Sequence, residues 1–179
     1  MTDTPVEGGW EPNWVEAEGE LCRLIYFSRL AGRISKVDLK NILTRSRVNN
    51  ARVDVTGALC FDNRFFLQIL EGRRLHVNRV FARIVGDPRH SDVSLITFTP
   101  VAERLFPSWS MMFIGADQLT RDTCRRFCGV EAFRPERLTA ERAAALVRYL
   151  AEGAPKASME ETAAETAEET TKETAADQA

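Results

Sequence analysis

A chain of 179 residues with 44% apolar residues suits one core with tails; it has no apolar run near the roughly 18–20 residues of a membrane span. The acidic start Met1-Thr2-Asp3-Thr4-Pro5-Val6-Glu7 lacks the basic, apolar pattern of a secretory signal, so a cytoplasmic location is expected. The net charge of −2 conceals a segregation: residues 1–20 hold six acids and no base, whereas residues 21–154 hold 22 Lys and Arg against 13 acids, yet these arginines are too scattered, and too little interleaved with aromatics, to suggest a nucleic-acid surface.

Residues 1–20 read as an acidic extension carrying Trp10 and Trp14. "LCRLIYFS" (Leu21–Ser28) is a first strand, apolar and rich in β formers. Ser35 with Asp38 three residues on resembles a helix start, and the helix should run to about Asn50, with Leu39, Leu43, Ser46 and Asn50 on one face. "VDVTGALCF" and "RFFLQILEG" are two β-runs joined at Asp62-Asn63, a hairpin signal. A second amphipathic helix carries Val77, Val80, Phe81 and Ile84 on one face and stops at Gly86-Asp87-Pro88. "VSLITFTPVAE" and "WSMMFIG" are further strands, and residues 117–152 read as two helices, the second being "TAERAAALVRYLAE". Residues 154–179 are low-complexity Ala, Glu and Thr, a tail that is disordered or a frayed helix.

The predicted order is therefore β-α-β-β-α-β-β, an α+β sandwich of the ferredoxin-like sort with two C-terminal helices. Its boundaries are an extension (1–20), a core domain (21–115), a helical extension (116–153) and a tail (154–179). Cys22, Cys60, Cys124 and Cys128 have no neighbouring His or further Cys pair of zinc-site spacing, so they are read as buried or half-buried free thiols.

Several polar residues sit oddly in this scheme. Gln68 interrupts the dry run "FFLQILEG", where an unpaired buried amide costs about 1–3 kcal/mol. Tyr26 lies mid-strand, Asn50 closes the first helix on its apolar face, and Arg83 and Asp87 end the second. Each has a bland reading: Tyr26 packs its ring, Asn50 caps a helix, Gln68 bonds backbone, and Arg83 and Asp87 form a weak surface pair. Together they could line one slot between the two helices and the sheet.

Tyr26-Phe27-Ser28, "NNARVDVTGALCF" (Asn49–Phe61), "FFLQILEG", "DPRHSDV" (Asp87–Val93) and "FPSWSMMF" (Phe106–Phe113) resemble, in order and over about residues 20–115, the BLUF domain, a blue-light sensor that uses FAD. The resemblance implies that FAD (FMN or riboflavin being possible alternatives) is bound non-covalently. It makes Tyr26 the phenol that gives an electron and a proton to the excited flavin. Gln68 becomes the switching amide between that tyrosine and the N5/C4=O edge. It further implies that Asn50 donates near C4=O and that Asn49 faces the C2=O or ribityl side. Arg83 and Asp87 would contact the pyrimidine edge, and Ile42 and Ile84 would sandwich the ring. Arg89 and His90 would approach the ring or phosphate end. Trp109 and Met111, at two fifth-strand positions, would pass the signal outwards to the C-terminal helices. In an alternating strand Trp109, Met111 and Phe113 would share a face.

The residue types suit that chemistry on their own terms. A flavin edge displays carbonyl acceptors, N5 and N3–H, and one Gln carries both a donor and an acceptor to meet them. The expected function is thus a photoreceptor and not an enzyme, acting on a downstream protein (a transcriptional regulator or a cyclic-dinucleotide enzyme) or through a homo-oligomer. Arg121, Arg125 and Arg126 lie on its candidate output surface. The alternatives are a small flavin-dependent oxidoreductase, for which no nicotinamide fingerprint is present, and a flavin-free interaction module.

Overall fold

The computed structural model describes residues 19–153; the expected N-terminal extension (apart from its last two residues) and the acidic tail lie outside them. The first strand, β1 (Leu21–Leu30), leads to helix α1 (Lys36–Ala51), and the hairpin strands β2 (Thr56–Phe61) and β3 (Phe65–Arg73) follow. Then come α2 (Arg74–Val85), β4 (His90–Pro100), β5 (Met112–Ile114), α3 (Arg121–Cys128) and α4 (Ala140–Glu152). The five strands lie in the order β4-β1-β3-β2-β5, antiparallel except for the parallel pair β2–β5. Two crossovers, β1-α1-β2 and β3-α2-β4, produce this order, so the ferredoxin-like α+β expectation holds.

Local chemistry sets the element ends. Ser35 Oγ accepts from the Asp38 N–H at 3.1 Å and the Asp38 carboxylate accepts from the Ser35 N–H at 3.3 Å, a reciprocal cap that satisfies two otherwise orphaned donors. At the hairpin, Asn63 adopts a φ of 71° while the Asp62 carboxylate accepts from the N–H groups of Arg64 and Phe65 at 3.0 and 2.7 Å. Gly57 is obligatory for another reason. A Cβ there would sit 1.9 Å from the Ile69 carbonyl oxygen, so only glycine lets β2 pack this close to β3.

β3 is buried on both faces, which is why its sequence is nearly continuous in apolar residues instead of alternating. On one face Leu24, Tyr26, Leu59, Phe66 and Leu70 pack with Leu43 of α1 and Val77 of α2. On the other, Ile25, Leu67 and Ile69 pack with Cys124, Phe127 and Cys128 of α3 and Leu146, Val147 and Leu150 of α4. The C-terminal helices are therefore not merely appended; they seal the second face of the sheet. All four cysteines are free and buried, as expected, and burial pushes the Cys124 thiol up to about 11.

The fifth strand departs from expectation. Only Met112–Ile114 pair with β2, and residues 107–111 are irregular, with turns at 107–108 and bends at 110–111, so Trp109 and Met111 precede the strand instead of lying in it. They also fail to share a face: Trp109 packs against the cluster under α3 and α4, whereas Met111 is 1% exposed within the cluster under α1 and α2. The reason is that this segment is held by donors from outside it, so no strand alternation is imposed. The carbonyls of Trp109, Ser110 and Met111 accept from Gly57 N, Asn50 Nδ2 and Arg47 Nε respectively.

Candidate functional site

The register of the sheet builds the floor of the site. Gln68 of β3 stands directly across from Tyr26 of β1 and from Leu59 of β2, all on the face covered by α1 and α2. Tyr26 is fully buried and donates its phenolic proton to Gln68 Oε1. Gln68 Nε2 donates in turn to the Met111 thioether at 3.3 Å. The amide that looked misplaced is thus bonded at both ends. Its donor end meets only a thioether, a weak acceptor, so that end retains most of its capacity to donate elsewhere. Burial pushes the Tyr26 hydroxyl far above its ordinary value, with the negative charge of Asp87 adding to the shift. The phenol is therefore neutral at every physiological pH.

Above this floor a cleft of about 220 Å³ opens between the helices. α1 lines it with Ile42, Asn49 and Asn50, β3 with Gln68, and α2 with Arg83 and Ile84. Asp87, Arg89 and His90, around the turn into β4, complete it. Every residue expected to touch the cofactor is brought together here except Tyr26, which lies beneath, behind Gln68. Arg45, Ser46, Leu59, Phe66 and Val80 also line the cleft and were not anticipated. A signal existed for some: Ser46 lies one turn after Ile42, Val80 one turn before Ile84, and Leu59 opposite Gln68.

Besides the backbone bond read for Gln68, whose amide instead meets two side chains, two further bland readings are overturned. Asp87 does not pair with Arg83; its carboxylate accepts from the Arg89 N–H at 2.9 Å and from Arg89 Nε at 2.8 Å, and it forms an ion pair with that guanidinium. The hydrogen bonds from Arg89 hold the Asp87 carboxyl down at about 2. Asn50 does not cap α1, whose C-cap is Arg52; its side chain reaches across to the Ser110 carbonyl at 3.0 Å.

His90 shares a 2.7 Å hydrogen bond between Nδ1 and Ser28 Oγ and lies 4.6 Å, ring to ring, from Phe66. Burial lowers its pKa from the ordinary 6.5, against an opposing pull from Asp87. As pH falls through 6.5 the unfolded chain takes the proton first, so stability drops over that range and levels off only below the folded-state value. An NMR titration of the His90 ring should place its midpoint below 6.5; a midpoint above that value would contradict the burial described.

The donor set fits a flat, carbonyl-edged aromatic group. Half-buried Ile42 and Ile84 on facing helices offer apolar walls, while the amides of Asn49, Asn50 and Gln68 and the Arg83 guanidinium offer donors to acceptor edges. Comparison with known proteins points the same way. A family model described as "BLUF: Sensors of blue-light using FAD" matches residues 21–112. The chain is 30% identical over 151 residues to the photoactivated adenylate cyclase subunit beta of Euglena gracilis, covering 78% of this chain but only 17% of that protein. Among solved structures, BlrB, a BLUF protein in its dark state, is 29% identical with a TM-score of 0.60, covering 75% of this chain and 96% of that one. The photo-activated state of BlsA is 26% identical with a TM-score of 0.66, covering 73% and 94%. The chain belongs to the BLUF family, the sensors of blue light that use FAD.

Proposed function

We propose that this chain is a photoreceptor without catalytic output of its own, in which residues 21–115 sense light and α3 and α4 carry the signal to a partner protein or a second copy. The observation that carries the reading is the buried row Tyr26–Gln68–Met111 at the floor of the cleft. When bound, FAD supplies blue-light absorption and an excited ring that draws an electron from a nearby phenol. Ile42 and Ile84 would hold that ring between the helices, and Asn49, Asn50 and Arg83 would orient it through its carbonyl edges. Tyr26 holds its proton at Oη against Gln68 Oε1. Transfer of the electron and that proton from Tyr26 to the bound flavin would leave an oxygen that can only accept, and rotating or tautomerising the amide would then turn a donor towards it.

The outward step would leave Gln68 through Met111, its other partner, and the segment 109–111. Of the arginines expected to form an output surface, Arg125 is engaged with Asp122 and Glu131, and the Arg126 guanidinium lies 4.9 Å from the ring centroid of Tyr149, itself 45% exposed. Arg121 is exposed. This mixed charged and aromatic surface is of the kind proteins use for contacts. Adenylate cyclase accompanies the light sensor in the name of the Euglena relative, and a nucleotide-cyclase or cyclic-dinucleotide enzyme is the class of partner we favour.

The test is a visible spectrum before and after blue light. The purified protein should be yellow, shift slightly to the red on illumination and recover in the dark, and the flavin released by denaturation should have the mass of FAD. Colourless protein, or flavin bleached by added NADH, would sink the reading in favour of an interaction module or an oxidoreductase.

A further inference from the structure

Residues 109–111, just before β5, lie outside the β2–β5 ladder, yet each of their carbonyls is held. Gly57 N–H donates to Trp109 O at 3.0 Å, Asn50 Nδ2 to Ser110 O at 3.0 Å and Arg47 Nε to Met111 O at 3.2 Å. Arg47 and Asn50 are one turn apart on α1 and share its inward face. Asn50 lines the cleft, so its amide sits between two sets of partners, the cleft and Ser110. Arg47 is different. It is only 9% exposed, does not line the cleft, and its guanidinium fastens the same residue whose thioether accepts from Gln68. A buried guanidinium on a backbone carbonyl is a charge-assisted bond in a dry environment, stronger than a neutral one.

We propose that Arg47 is a positioning residue, a latch between α1 and the Met111 carbonyl that keeps the Met111 thioether against Gln68 and sets how readily residues 109–111 move. It does not touch the flavin, and it rests on the reading of the cleft as a sensor site. When Gln68 changes partner, the segment leaves by breaking this bond together with those on Trp109 O and Ser110 O. Without the latch, the displaced arrangement is relatively more stable and the return is slower.

The variant Arg47→Met retains length and apolar stem but no donor. It should bind flavin and show the full initial red shift. Its dark recovery should be about tenfold slower, the size one charge-assisted hydrogen bond confers. In flavin-free protein kept in the dark, the Gly57 amide should exchange faster by a similar factor and the 13C-methyl resonance of Met111 should shift. Arg47→Lys, which restores the charge but not the guanidinium geometry, should lie between; it also decides the matter if Arg47→Met fails to fold. Recovery that is unchanged or faster, or Gly57 exchange and the Met111 resonance unaltered in both variants, overturns the latch. Loss of the red shift in the unaltered protein would instead overturn the sensor reading, and the exchange measurement still judges the latch without it.

Discussion

Gln68→Leu should abolish the light-induced red shift while leaving the flavin bound and the fold intact. Leucine matches the volume of the amide and suits a position 6% exposed between Tyr26 and Leu59, so packing is preserved. What disappears is the pair of hydrogen bonds that joins the Tyr26 hydroxyl to the Met111 thioether. The buried phenol is then left without its acceptor, which costs about 1–3 kcal/mol and should appear as a modest loss of melting temperature. Tyr26→Phe removes the phenolic hydroxyl from the other side of the same bond and should abolish the shift equally, with the ring still packed 5.3 Å from Phe81. Steady-state difference spectra read both variants. A normal photocycle in either one would show that the switching role lies elsewhere, whatever the stability change.

Much of this site was legible in the sequence because its parts are local irregularities. A glutamine in a run of Phe, Leu and Ile must find partners, and a tyrosine placed across from it by the hairpin and crossover order supplies one. The helix start at Ser35 and the turn at Asp62-Asn63 are equally local, since each is set by side chains that bond backbone within three residues. What the sequence could not show is carried by contacts between distant parts. Arg47 looks like one more arginine on a solvated helix, because the carbonyl it binds lies 64 positions away. The run Trp109-Ser110-Met111 has the composition of a strand, and only the donors arriving from α1 and β2 turn it into an anchored irregular segment. The double burial of β3 likewise signals a cover on both faces, but the identity of the second cover depends on α3 and α4 folding back over the sheet.

Glu71→Ala should be the most destabilising of the substitutions considered, lowering the melting temperature by roughly 10–15 °C. Glu71 lies on the face of β3 opposite Gln68 and is completely buried. Its carboxylate accepts from Arg23 Nε at 2.6 Å and from the backbone N–H groups of Leu105 and Phe106 at 3.0 Å each. Removing it leaves the Arg23 guanidinium, on a side chain only 17% exposed, with the Glu103 carbonyl but no counter-charge, and strands two backbone donors. Breaking a buried pair from one side costs about 3–5 kcal/mol, a large part of the roughly 5–15 kcal/mol that holds a domain folded. A double replacement separates the two contributions. Exchanging an ion pair for apolar residues is often neutral, but Arg23→Leu with Glu71→Leu still leaves Leu105 and Phe106 without an acceptor. The pair should therefore recover only part of the loss, and full recovery would mean that the loop N–H groups find water instead. The exposed Arg125–Asp122 pair provides the contrast, because Asp122→Ala should change stability by less than about 0.5 kcal/mol. The loop that Glu71 fastens runs directly into residues 109–111, so that segment hangs between a carboxylate on β3 and a guanidinium on α1. A sensor that moves it must work against both anchors. Melting curves for the single and double variants, set beside their dark-recovery rates, test whether the two ends are coupled.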